Sequence, residues 1–104
     1  MARKETTKIA AAFALGQPAR AARTHTDGTR VYLHGNEIAH RRPDGTIALT
    51  AAGWPTRTTV DRLNGIATEC NLPVRFDLRG GLHVTERGQR DPIGAGDRVV
   101  AASR

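Results

Sequence analysis

The sequence has few of the residues that cross-link or fill the core of a small protein. Cys70 is its single cysteine, so no disulfide can form within the chain, and a zinc site built from cysteines is excluded. The 104 residues include only two Phe, one Tyr and one Trp, and 38% are hydrophobic. We therefore expect a modest core of Val, Ile, Leu and Ala, to which a homo-oligomer or a partner would add stability.

Long hydrophobic runs are also absent. No apolar segment approaches the roughly 20 residues that a membrane span needs, and the N-terminus lacks the layout of a secretory signal peptide. A cytoplasmic location is expected. The length suits one domain over 1–104, with an N-terminal helix and loop over 1–29 and a core over 30–104.

Positive charge is what the sequence has in excess. The formal net charge is +6, and residues 1–42 carry eight basic side chains against three acidic ones. A basic surface attracts polyanions such as nucleic acids, nucleotides or acidic proteins without choosing among them. Arg outnumbers Lys fourteen to two, which a GC-rich genome also produces at tolerant surface positions. The excess of arginine is therefore explained either by binding of a polyanion or by genome composition.

Hydrophobic periodicity and turn residues predict an α+β fold. The expected elements, in chain order, are a helix over 3–15, a loop over 24–29, a three-stranded antiparallel meander over 30–50, a central helix over 59–70, a β-hairpin over 74–86, a loop over 87–97 and a short last strand over 99–102. The central helix should cover the apolar face of the sheet.

The meander begins with a predicted hairpin. A type II′ turn at Gly35-Asn36 would place Leu33 opposite Ile38 and Val31 opposite His40. Strand alternation then divides the side chains between two faces. The apolar face would hold Val31, Leu33, Ile38, Ile47 and Leu49, and the other face Tyr32, His34, Glu37 and Arg41.

Part of the chain resembles a segment found in small proteins of tailed bacteriophages and prophages. The residues that carry the resemblance are YLHGNEIA at 32–39, AGWPT at 52–56, Thr58-Thr59 and RLN at 62–64. It covers about a third of the chain well and the N-terminal helix loosely. The resemblance implies a phage accessory protein that acts inside a bacterium by binding.

The segment before the central helix is the main candidate site. A helix N-terminus offers free N–H groups to a phosphate, Thr58 or Thr59 can cap it, and Trp54 can stack on a base. The candidate nucleic-acid- or phosphate-binding residues are Arg41, Arg42, Trp54, Arg57, Thr58, Thr59 and Arg62. A structural role is the alternative: Trp54 would fill the core, the threonines would only cap the helix, and the arginines would be solvated.

The sequence offers no catalytic or metal-binding pattern. None of the four histidines stands at a metal-like spacing from a cysteine or carboxylate, and no nucleophile–base pair stands out. We expect a non-enzymatic protein without a cofactor. It would bind nucleic acid or a nucleotide, with DNA, RNA and cyclic nucleotides left open. Alternatively, it would be a protein-interaction factor that inhibits or redirects a bacterial host complex.

Overall fold

A computed structural model describes residues 3–103 of the chain. Over this range two helices and nine strands form. The helices are α1 (Lys4–Ala14) and α2 (Arg57–Glu69), and the strands are β1 (Ala19–Ala21), β2 (Thr24–Thr26), β3 (Arg30–Leu33), β4 (Asn36–Arg41), β5 (Ile47–Thr50), β6 (Val74–Asp77), β7 (His83–Glu86), β8 (Gln89–Pro92) and β9 (Arg98–Ala101).

The architecture is mostly β, so the predicted α+β fold with a single three-stranded meander is wrong. Within residues 3–103, six antiparallel strands form one sheet in the order β1-β2-β3-β4-β5-β9, and β6-β7-β8 form a second. The expected meander is only the centre of the larger sheet. The expected loops over 24–29 and 87–97 contain strands β2 and β8, whose polar sequences THT and QRDP carry no apolar alternation.

A β-bulge in β4 changes the predicted register. Tyr32 pairs with Glu37 but Val31 pairs with Ala39, so Ile38 is an extra residue in the ladder. The turn consists of His34 and Gly35, both with positive φ, as a type I′ turn requires, instead of Gly35 and Asn36. The predicted pairs Leu33–Ile38 and Val31–His40 are therefore wrong.

The bulge also exchanges the faces of the residues that follow it. Arg41 pairs with Ile47, which is buried, so Arg41 lies on the core side of the sheet and not on the opposite face as predicted. The predicted burial of the apolar set is confirmed, because Val31, Leu33, Ile38, Ile47 and Leu49 are all at most 4% exposed.

Both helices pack on this core side, α1 over β1 to β3 and α2 over β4 and the edge strand β6 of the smaller sheet. Ile9 and Phe13 of α1 and Leu63 and Ile66 of α2 are buried there. The helices approach closely at Gly65, where a Cβ would lie 2.2 Å from Thr6 Cγ2. Glycine at this position therefore sets the helix separation.

The smaller sheet is attached to α2 by the Asn64 side chain, which forms a pair of hydrogen bonds with the backbone of β6, as a neighbouring strand would. The Asn64 amide nitrogen donates to the Phe76 carbonyl (2.9 Å), and the Phe76 N–H donates to Asn64 Oδ1 (2.8 Å). On the surface, two Arg90 nitrogens donate to the Asp77 carboxylate at 2.7 and 3.0 Å, and these bonds lower the pKa of Asp77 to about 2. The pair ties β8 to β6.

Candidate functional site

A groove opens at one end of the six-stranded sheet, between the β3–β4 turn and the start of α2. Its volume is about 490 Å³, and Leu33, Ile38 and Ala51, which are buried, form its floor. Around the floor stand His34, Asn36, Trp54, Thr56, Thr58 and Thr59. We call this surface the Trp54 groove. Its size, its apolar floor and its few polar groups are typical of ligand sites.

Trp54 is held by its backbone while its indole remains exposed. Its N–H donates to the Ala51 carbonyl (2.9 Å), and the preceding Gly53 N–H donates to the Ala95 carbonyl (2.9 Å). Ala52 and Gly53 both have positive φ, which turns the chain sharply after β5. The side chain is 61% exposed. The alternative in which Trp54 fills the core is therefore wrong.

Thr56 caps α2, and neither Thr58 nor Thr59 does. Its hydroxyl accepts a hydrogen bond from the Thr59 N–H (3.2 Å) and lies 3.0 Å from the Thr59 hydroxyl. Thr59 is only 2% exposed, so it belongs to the buried part of the groove lining. The predicted helix began at residue 59, two residues after its actual start at Arg57, so the predicted cap was also too late in the chain.

Two exposed arginines lie beside the start of α2. Arg57 is its first residue and lines a second groove that runs along the helix. Arg3 comes from the N-terminus of the chain and donates to Thr58 Oγ1 (3.0 Å). Arg3, the N-cap residue of α1, thus places a positive charge at the rim of the Trp54 groove.

Arg62 is a core residue, contrary to the expectation that it faces solvent. It is 5% exposed, and its Nε donates to Thr24 Oγ1 (2.9 Å). Its Nη1 donates to the Thr6 hydroxyl and to Asp61 Oδ2, the latter at 3.2 Å. The cation is neutralised by Asp61 and joins α2 to α1 and β2. Because it is buried, its guanidinium is not available to a phosphate at the surface.

Arg41 and Arg42 do not belong to the same surface as Trp54. Arg41 is half-buried, donates to the carbonyls of Gly28 (2.5 Å) and Phe13 (2.7 Å), and lies over the Phe13 ring. Arg42 is exposed in the β4–β5 turn. Because β4 runs away from the groove, Arg42 stands about 20 Å beyond Asn36.

The structure therefore brings together Trp54, Thr58 and Thr59, with Arg57 beside them, and separates the other three candidates. Sequence reasoning did not place Arg3 beside this groove, and it missed the walls formed by His34 and Asn36. A hairpin register is needed to place those two residues, and the bulge at Ile38 was not visible in the sequence pattern.

Other chemical groups do not assemble into a site. Among residues 3–103, no cluster of three or more His, Cys, Asp or Glu side chains could hold a metal ion. Cys70 is buried, and burial raises the pKa of its thiol. No helix in the same range is long and apolar enough to cross a membrane.

Comparison with protein families gives a match over most of the chain. Residues 2–80 match the family model described as Kyanoviridae Gp96 protein, a bacteriophage family. The chain belongs to this family. The matched range includes both helices, β1 to β6 and every residue that lines the Trp54 groove. The comparison with curated proteins and the comparison with solved structures each found no match. The resemblance to phage proteins is thereby confirmed at the level of the family.

Proposed function

We propose that this phage protein binds nucleic acid or a nucleotide without catalysing a reaction, and that a base enters the Trp54 groove. The observation that carries the proposal is the indole of Trp54, which is 61% exposed beside an apolar groove. Stacking of a base on such a ring is insensitive to sequence. The threonine hydroxyls and the Asn36 amide of the groove match the polar edge of a base.

Charge supports the same ligand class. The chain carries a net charge of +6, and Arg3 and Arg57 lie beside the groove at the start of α2. Each arginine that neutralises a phosphate releases counterions, so the affinity should fall as salt rises. With Arg41 and Arg62 bonded inside the fold, these two cations replace them in the proposed site.

The test uses the intrinsic fluorescence of Trp54, which is the single tryptophan of the chain. A single-stranded oligonucleotide or a nucleotide that stacks on the indole should quench its emission, and less so when salt rises from about 50 to 200 mM. Trp54→Ala should weaken binding, measured by anisotropy of a labelled oligonucleotide, by about 5- to 150-fold. Arg57→Ala should lower the salt slope by about 0.7.

Leu15→Ala is the matched control. Leu15 is 72% exposed at the end of α1 and does not line the groove, so its loss removes exposed apolar surface without touching the proposed site. Absence of binding at low salt, or equal losses in the Leu15 and Trp54 variants, would contradict the proposal.

A second candidate is a protein-interaction factor directed at a bacterial host complex. It is favoured by the absence of Asp, Glu, Lys and Arg from the lining of the Trp54 groove within the described chain, and by the exposure of Leu15. An apolar groove beside an exposed Trp also suits a partner's side chain. A host protein that remains bound after nuclease treatment, and is lost with Trp54→Ala, would support this candidate.

A further inference from the structure

The outer face of the six-stranded sheet is an open surface with an aromatic pair at its centre. Both helices pack on the opposite face. Because Val31 and Leu33 point into the core, Tyr32 points outward, and its cross-strand neighbour His25 stacks on it with ring centroids 4.8 Å apart and planes at 16°. Both side chains are half-exposed.

Cross-strand pairing extends this row over four strands. Arg20 of β1 pairs with His25, and Glu37 of β4 pairs with Tyr32, so all four side chains share the outer face. A second row is formed by Arg30, His40, Ala48 and Val100. The two rows lie side by side across the sheet.

The charge of this face is positive. Arg20 and Arg98 are exposed, and Arg98 pairs with the outward Thr50 at the β9 edge. In the six strands of this sheet, which all lie in the described part of the chain, Glu37 is the only acidic residue, and Arg30 neutralises it at 2.9 Å. An excess of arginine around stacked rings is complementary to a flexible polyanion whose bases are free to stack.

We propose that the outer sheet face binds single-stranded nucleic acid, with a base on Tyr32 and phosphates near Arg20 and Arg98. The proposal rests on the proposed function, because it names the strandedness of the ligand and a second surface for it. A duplex keeps its bases stacked and paired, so it cannot use the ring of Tyr32. The two surfaces meet at the β3–β4 turn, where Tyr32 is followed by the groove residues Leu33 and His34.

The experiment compares binding of a labelled oligothymidylate of about 16 nucleotides with that of a duplex of the same length, by fluorescence anisotropy. The wild-type chain should bind the single strand more tightly. Tyr32→Ala should weaken single-strand binding by about 5- to 150-fold, whereas Tyr32→Phe, which keeps the ring, should bind like the wild type.

Substitution of the arginines tests the proposal through the salt dependence of binding and leaves Tyr32 itself unchanged. Arg20→Ala and Arg98→Ala should each lower the salt slope by about 0.7, and the control Arg75→Ala, at an exposed position of β6 outside this face, should leave it unchanged. Circular dichroism establishes that each variant is folded.

The outcomes separate the two proposals. If Trp54→Ala weakens binding but the Tyr32 and arginine variants do not, the sheet face is not a binding surface, and the groove proposal stands. Sensitivity to Tyr32 without sensitivity to Trp54 supports the sheet face and overturns the groove. No binding of any oligonucleotide overturns both. Equal affinity for the duplex and the single strand overturns the sheet-face proposal. The proposal is also overturned if Arg20→Ala leaves oligonucleotide binding unchanged but abolishes binding of a protein partner that resists nuclease treatment.

Discussion

Arg62 is a buried cation whose hydrogen bonds join three elements of the fold. Its guanidinium reaches Thr24 on β2, Thr6 on α1 and its neighbour Asp61 on α2. A guanidinium is suited to this role because its planar donors can serve several acceptors at once. Removal of the side chain would take its donors from the buried hydroxyls of Thr6 and Thr24 and leave the part-buried Asp61 carboxylate with only the Thr6 hydroxyl of this network, which is costlier than loss of a surface pair.

We expect Arg62→Ala to lower the free energy of unfolding by about 3 kcal/mol, measured by urea denaturation followed by circular dichroism. Arg57→Ala is the matched control, because it removes the same side chain from an exposed position of the same helix. It should change stability by no more than about 0.5 kcal/mol. Equal effects of the two substitutions would mean that the buried network contributes nothing.

At the scale of elements, the α1–α2 contact depends on the absence of a side chain at Gly65. Alanine is ordinarily the better helix former by about 1 kcal/mol. Here its Cβ would lie 2.2 Å from the Thr6 methyl group, and Thr6 is fully buried and fixed by its bonds to Asp61 and Arg62. The helices would have to separate, and overpacking of this kind costs about 1–3 kcal/mol.

Gly65→Ala should therefore destabilise the protein by about 1 kcal/mol despite the gain in helix propensity. Thr6→Ser removes the obstructing methyl group and keeps the hydroxyl of the network. The double variant should be more stable than the sum of the two single effects by about 1 kcal/mol or more, in a thermal or urea double-mutant cycle. Additive effects would refute a steric contact between the two residues.

The elements also show what the sequence could and could not predict. Apolar residues located both helices, the strands of 30–50, the hairpin of 74–86 and the last strand, because each contributes apolar side chains to the core. Strand β8 buries none of its side chains, so its sequence QRDP has no pattern to detect. Strand β2 buries Thr24 and Thr26, which appear polar in a hydropathy pattern.

The candidate site was predicted in part for a related reason. Exposure of Trp54 follows from its turn, whose Gly53 and Pro55 mark a break in the sequence. The position of Arg41 depends on one inserted residue, Ile38, which reverses the alternation for the rest of β4. The charge of an arginine also does not show whether it is exposed, as Arg57 is, or buried, as Arg62 is. Arg62 can be buried because Asp61 and two threonines accept its hydrogen bonds.

At the scale of the whole molecule, one hydrophobic core joins the two sheets through α2. Its buried residues include side chains of α1, β3 to β5 and β9 on one side and of β6 and β7 on the other, with Leu63, Ile66 and Cys70 between them. Cys70 is 8% exposed, and burial raises the pKa of its thiol, so neither access nor the thiolate favours its alkylation in the native state.

We expect iodoacetamide to label Cys70 only when the protein unfolds, with a urea midpoint equal to that of the loss of circular dichroism. The control is Thr68→Cys in a Cys70→Ala background, since Thr68 is exposed in the last turn of α2, two residues before Cys70, and the new thiol should react in the native state. Labelling of Cys70 well before the main transition would show that the smaller sheet opens independently.

The pairing of β9 with β5 has a consequence for how the chain folds as it is synthesised. Strands β1 to β5 pair with their sequence neighbours, so each hairpin can form as soon as its second strand has emerged from the ribosome. The partner on the other side of β5 is separated from it by α2 and the entire smaller sheet. The outer edge of β5 therefore stays unpaired until residues 98–101 arrive, and from then on β9 is the edge strand.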